Sequence, residues 1–139
     1  MEIKECSFED ITILAEMNKC LIEDEKTNNS MDIIQLKNRM YEFLNGGYIA
    51  YLFIENDQII GYALCDMTKE PKYLRQFYIK REERRKHYGK IAFEKLLEKI
   101  GINKIEIDVL LRNEIGLKFW QNIGFKEQWI RMKFGEENV

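Results

Sequence analysis

Residues 80–90 read Lys-Arg-Glu-Glu-Arg-Arg-Lys-His-Tyr-Gly-Lys. An apolar, aromatic strand from Leu74 to Ile79 precedes them, and a helix whose apolar face carries Ile91, Phe93, Leu96 and Leu97 follows. The chemistry such a junction offers is anion binding. A strand that runs into a helix N-terminus leaves backbone N–H groups without acceptors, and a phosphate can accept from them while the helix dipole favours its charge. Cations at a helix start oppose that dipole. Their concentration here is therefore better explained by a bound anion than by helix stability. The mirror imbalance stands at Glu23-Asp24-Glu25, acids at the end of the first helical pattern. Acids there are also unfavourable with the dipole, which invites a reason beyond folding.

Length and composition bound what these groups can mean. A chain of 139 residues is one domain, residues 1–139, with room for a real core. Its formal charge of −2 gives no general attraction to nucleic acid, so the basic cluster is local in purpose. Cys6, Cys20 and Cys65 are an odd number without Cys-x-x-Cys spacing, and there is one histidine. No zinc site or disulfide framework is expected, the cysteines read as small buried hydrophobes, and a reduced, cytoplasmic setting is the default. No apolar run approaches the roughly 20 residues of a membrane span, and the charged start MEIKE is not a signal peptide, so no membrane partner is expected.

The elements that must position the basic turn follow from periodicity. Residues 3–6 form a short strand, and Ser7 with Asp10 three residues on is a near capping box. Ile11, Leu14, Ala15, Met17, Asn18 and Leu21 recur at helical spacing, predicting a helix over residues 8–23. The polar stretch KTNNS breaks the pattern. A second helix over residues 31–44 carries Ile33, Ile34, Leu36, Met40, Phe43 and Leu44 near one face and ends at Gly46-Gly47. Residues 48–54 and 59–67 read as a hairpin, and residues 73–80 as a third strand after a loop holding Pro71, the one proline. Beyond the helix that follows the basic turn, residues 104–111 alternate enough to be a strand parallel to the third. A last helix over residues 114–123 passes through Gly124 into a terminal strand, residues 125–134.

The segment Arg84-Arg85-Lys86-His87-Tyr88-Gly89 resembles the pyrophosphate loop of the GCN5-related N-acetyltransferases, Arg/Gln-x-x-Gly-x-Gly/Ala. Arg84 and Gly89 match its ends, and His87 stands where the inner glycine is expected. A glycine there lets backbone approach phosphate without a Cβ in the way, and His is among the residues that tolerate unusual backbone angles. A second block, IEIDVLLRNEIGLKFWQNIGFKE, resembles the family's strand-helix-strand signature: Asn113 matches the Asn that opens the helix beside coenzyme A, and Gly124-Phe125 the turn into the final strand. The order β-α-α-β-β-β-α-β-α-β is that of the family over nearly the whole chain. It implies an α/β fold with a central, mostly antiparallel, mixed sheet flanked by helices.

The resemblance also implies acetyl-CoA as co-substrate, in a slot between splayed strands. The pantetheine arm pairs with the backbone of Phe77, Tyr78 and Ile79, and the pyrophosphate lies on the N–H groups of Arg85, Lys86, His87, Tyr88, Gly89 and Lys90, with Arg84 beside it. Phe119-Trp120 stands at the family's Phe-Tyr pair, whose Tyr often protonates the leaving thiolate. An indole N–H donates a hydrogen bond but is not a proton source, so Tyr78, Tyr88 or water is left for that role. A backbone N–H near Ile79 is expected to stabilise the oxyanion.

Many family members carry a carboxylate on the third strand, where this chain has Arg75 and Gln76. Gln76 can orient an acceptor or a water. Glu23 and Asp24 border the acceptor site in such a fold, where they could hold a cationic amine and pass its proton to water. The expected function is transfer of an acetyl group from acetyl-CoA to a primary amine in a ternary complex. The acceptor is a small-molecule or protein amine, with a cationic small molecule favoured by Glu23 and Asp24. A non-catalytic acetyl-CoA sensor and a nucleotide- or RNA-binding module are the other classes weighed; the acidic net charge argues against RNA. Family members commonly pair as homodimers through the C-terminal strands, for which Trp129, Ile130 and Met132 would supply a surface, or they belong to the core.

Overall fold

Ser7 and Asp10 close the capping box that their spacing announces: the Ser7 backbone N–H donates to Asp10 Oδ2 at 2.9 Å, and the Ser7 hydroxyl accepts from Glu9. They open a short 3-10 turn, Phe8–Asp10, that runs into α1 (Ile11–Glu25). The computed structural model describes residues 1–84 and 86–136. A second box, Asp32 with Gln35, opens α2 (Ile33–Asn45). The two helices bury one face each, Leu14, Ala15, Met17 and Asn18 from α1, Leu36 and Met40 from α2.

Those faces lie on a sheet of five strands, β1 (Glu2–Glu5), β2 (Tyr48–Glu55), β3 (Gln58–Asp66), β4 (Lys72–Ile79) and β5 (Ile105–Glu106), in that order. All pairs are antiparallel except β4 with β5, which α3 (Tyr88–Ile100) joins as the crossover a parallel pair requires. Register then assigns the faces. Leu52, Tyr62 and Tyr78 stand opposite one another across three strands, as do Ala50, Leu64 and Gln76. Leu52, Tyr62, Tyr78, Ala50 and Leu64 pack with Leu14, Met17 and Met40 in the core. Tyr51, Ala63 and Phe77 point the other way, and there Phe77 meets Phe93 of α3 with ring centroids 6.4 Å apart. Burial of each large apolar side chain contributes about 1.5–3 kcal/mol. Backbones approach closely between β3 and β4, since a Cβ on Gly61 would fall 2.0 Å from the Tyr78 carbonyl oxygen.

A bulge in β4 decides what the inner face presents. Leu64 pairs with Gln76 but Cys65 with Leu74, so Arg75 is an extra residue without a place in the β3 ladder. The extra residue resets the alternation, and Tyr73, Arg75, Gln76 and Tyr78 come to the α1/α2 face together.

The chain falls into two compact units, Met1–Asp108 and Val109–Val139. In the second, Asn113 caps α4 (Glu114–Ile123), its Oδ1 accepting from the Gly116 N–H at 3.1 Å. Two expectations are corrected here. The strand expected over residues 104–111 is only Ile105–Glu106, and residues 125–134 form no strand among the described residues. The β4–β5 ladder holds Lys72 to Ile105 and Tyr73 to Glu106 and then stops, just ahead of the bulge, which turns the β4 edge and ends pairing. Residues 125–134 belong to the second unit, and Trp129, Ile130 and Met132 are exposed in the single chain.

Candidate active site

The β4–β5 ladder ends at Tyr73, where β5 itself ends, and β4 runs on through Ile79 toward the basic turn. The turn is built by Arg84, whose Nε donates to the Ile79 carbonyl at 2.9 Å and whose guanidinium carbon lies 5.5 Å from the Tyr78 ring centroid. A single 3-10 turn, Arg81–Glu83, lies between them. His87 is then the N-cap of α3 at φ 60, ψ 16, in the left-handed region, and its side chain makes no capping bond. The position expected to be glycine thus keeps a glycine conformation with a histidine in it, at a cost of about 1–2 kcal/mol. Lys86 is exposed and pairs with Glu83 at 3.0 Å, Tyr88 and Gly89 are half-buried in the first turn of α3, and Lys90 is exposed. Arg85 lies outside the described residues.

Residues 3–138 match the family model described as an acetyltransferase (GNAT) domain. The chain belongs to the GNAT acetyltransferases. No curated protein sequence matches it. Among solved structures, a possible acetyltransferase from Clostridium difficile 630 superposes with a TM-score of 0.78 at 16% identity, over 99% of this chain and 98% of that one. A predicted acetyltransferase from Clostridium acetobutylicum, solved with acetyl-CoA, gives 0.69 at 17% identity over 95% of each chain. An aminoglycoside 6'-N-acetyltransferase from Acinetobacter haemolyticus gives 0.73 at 16% identity over 100% of each. At these identities the likeness is one of fold.

In this GNAT chain the acids at the end of α1 hold the basic turn. Asp24 accepts from Arg84 Nη2 through Oδ2 and from Arg81 Nε at 2.8 Å through Oδ1, and Glu23 Oε2 stands 3.4 Å from Arg81. Burial alone would raise the Asp24 carboxyl; the hydrogen bonds and charges of the two arginines outweigh it and hold its pKa below the ordinary value. Asp24 is thereby a weak base, with both oxygens held by arginines, whereas Glu23 is exposed and meets Arg81 through one oxygen. Glu25, the third acid of that run, differs. It is half-buried, and burial followed by the Asp24 charge raises its pKa, which makes it a stronger base than Asp24.

On the GNAT sheet's inner face a second set of polar groups gathers at the bulge. Gln76 is buried, and its Oε1 accepts from the hydroxyl of fully buried Tyr62 at 2.7 Å. Burial, above all, pushes the Tyr62 pKa well above its usual value, with the Glu25 charge adding and Arg39 opposing. Asn18 of α1 accepts from Arg39 of α2 at 2.9 Å. Arg75 lies over the rings of Phe43, Tyr48 and Tyr73, and its Nε donates to the Tyr48 hydroxyl at 2.8 Å. Tyr78 is pushed up to about 12, chiefly by burial and then by Cys20, so its phenol keeps its proton at neutral pH.

Of the residues expected at the site, Glu23, Asp24, Gln76, Tyr78, Ile79, Arg84 and Tyr88 lie in the first unit, with Phe77 on the outer face of β4. Asn113, Phe119 and Trp120 lie in the second, where Trp120 packs edge-on against Phe119 and Phe125 with centroids 4.8 and 5.2 Å away. Sequence reading missed Arg39, Tyr48 and Tyr62. The available signal was a polar residue on an apolar stripe, Asn18 among the core positions of α1, which is 1% exposed.

Proposed function

We propose that this chain moves the acetyl group of acetyl-CoA to a primary amine by direct transfer in a ternary complex. The observation that carries this reading is the stretch of β4 beyond Tyr73, where the β4–β5 ladder has ended, leading into a left-handed turn at the start of α3. An extended pantetheine arm adds along β4 at Phe77, Tyr78 and Ile79 as another strand would. The N–H groups of Lys86 to Lys90 then receive the diphosphate at the helix terminus, and those groups fit an anion because His87 contributes no cap. Acetyl-CoA supplies the thioester, and the chain does the rest. Gln76, fixed by Tyr62, orients the amine at the bulge, and Glu25 takes the amine proton. A backbone N–H near Ile79 stabilises the oxyanion. Tyr78, with Tyr88 across the turn, is the phenol available to the departing thiolate. A cytoplasmic setting accords with the unpaired cysteines, and no helix among the described residues is long and apolar enough to cross a membrane.

The test is thiol release from acetyl-CoA across a panel of primary amines. Release that depends on an amine and falls at least tenfold in Glu25→Gln supports the reading. Tight coenzyme A binding with no release for any amine favours a sensor and overturns it.

A further inference from the structure

Arg39 and Arg75 place their guanidinium carbons 5.5 and 5.3 Å from the centroid of one ring, Phe43. Two like charges held over a single phenyl group repel each other, more so where water is scarce. Burial, then the Arg75 charge, lowers the Arg39 pKa against the opposing pull of Tyr62. Arg39 is also under-bonded: its Nε is buried and has no hydrogen-bond partner among the described residues. A buried donor left in this way is costly.

Nothing nearby balances the pair. Among the described residues no carboxylate lies within ion-pair distance of either guanidinium, whereas Arg81 and Arg84 of the basic turn both have one. The closest acids stand one side chain removed. Asp66 is reached through Tyr48, with an oxygen already accepting from the Thr68 N–H and hydroxyl. Asp108 accepts from Tyr73 at 2.9 Å. The charge of Glu25 acts on Tyr62. Two guanidiniums that share the Phe43 ring and have no ion-pair partner among the described residues, one of them on the β4 residue next to Gln76, make a receptor for an anion.

We propose that the acceptor carries a carboxylate beside its amine, and that Arg39 and Arg75 receive that carboxylate over the Phe43 ring. This rests on the acetyl-transfer reading and names its acceptor class, free amino acids or short peptides. A planar guanidinium fork matches a carboxylate in two parallel hydrogen bonds. A polycationic acceptor would instead meet two like charges. A cationic acceptor at Asp24 would have to displace the two arginines that hold its oxygens.

Thiol release is measured for free amino acids and dipeptides, for the same compounds with the carboxylate amidated, and for spermidine, with wild type and Arg75→Gln. Binding of the acids to coenzyme A-saturated protein is followed by calorimetry in parallel. The acids are expected to be preferred over their amides by roughly 10- to 100-fold in kcat/KM, carried by KM, and Arg75→Gln to lower that ratio by a similar factor. Arg75 is exposed, so its substitution spares the core. Arg39→Lys, which keeps the charge and loses the fork, should lower the ratio partway. Amides or spermidine used as well as the acids would overturn the proposal and leave acetyl transfer standing. No release from any compound, with acids still bound through Arg75, would uphold the carboxylate site and overturn acetyl transfer. No binding of acids and no preference for them would overturn the proposal.

Discussion

Tyr62→Phe removes one hydroxyl and little else, and its effect can be worked from the contacts. The Tyr62 side chain is 0% exposed, and its hydroxyl donates at 2.7 Å to the Oε1 of Gln76, which is 8% exposed. Phenylalanine fills the same volume, so no cavity opens and the apolar transfer favours the variant slightly. The cost is the stranded Gln76 acceptor, about 1–3 kcal/mol for a buried polar group left without its partner. The net loss should be about 2 kcal/mol. With a urea m-value of about 1–3 kcal/mol/M, the unfolding midpoint falls by about 1 M with the slope unchanged. Removing both partners separates this tie from general damage. In Tyr62→Phe/Gln76→Met no acceptor is stranded, so the double variant should be more stable than the sum of the single changes implies, with a coupling of about 1 kcal/mol or more. A midpoint within error of wild type, or strict additivity, would refute the reasoning that this bond fixes Gln76 at the bulge.

His87→Gly relieves the left-handed strain and should raise stability by about 1 kcal/mol, a few degrees in Tm, while coenzyme A affinity holds or improves; a lower Tm would contradict the conformation. Gly61→Ala puts a Cβ 2.0 Å from the Tyr78 carbonyl oxygen, and because backbone cannot yield cheaply the loss should be at least about 2 kcal/mol by denaturant unfolding. Asp24→Asn breaks the tie to Arg84 and Arg81 and should cost about 1 kcal/mol at neutral pH, a modest figure because the arginines are half-exposed and screened. The Asp24 pKa is depressed in the fold, so its stabilisation is present above the ordinary value of 3.8 and is lost as pH falls through the lower folded value. The stability gap between wild type and Asp24→Asn should therefore narrow as pH falls below about 4, and a gap that does not shrink on acidification would count against the pairing. The raised pKa of Glu25 works the other way, its cost to the fold disappearing on acidification.

Much of this site was legible before the fold. The capping box at Ser7, the hairpin, the strand ahead of the basic turn and the Asn113 cap are local matters, decided by residues within a few positions of each other, and all four stand. His87 is instructive: it stands where the motif has a glycine, and the backbone adopts a left-handed conformation there despite the side chain. Long-range pairing was less accessible. Alternation in residues 104–111 identifies a segment able to be a strand, but the bulge at Arg75 decides where its partner turns away. That same bulge puts Arg75 and Gln76 on one face, which period-2 reading assigns to opposite faces. The acids in the last turn of α1 stand out in the sequence because they oppose the helix dipole. Which cations they meet depends on Arg81 and Arg84 lying nearly sixty positions away in the chain, and no local pattern carries that.

The measurement that bears most directly on the account is calorimetric titration of the protein with coenzyme A, set beside pantetheine, which lacks the diphosphate. Saturable heat, an affinity that weakens with added salt, thermal protection equivalent to about 2.7 kcal/mol at a hundredfold excess over Kd, and much weaker binding of pantetheine are the predicted results. Absence of both heat and protection with coenzyme A, or equal binding of pantetheine, would contradict a diphosphate seat at the start of α3.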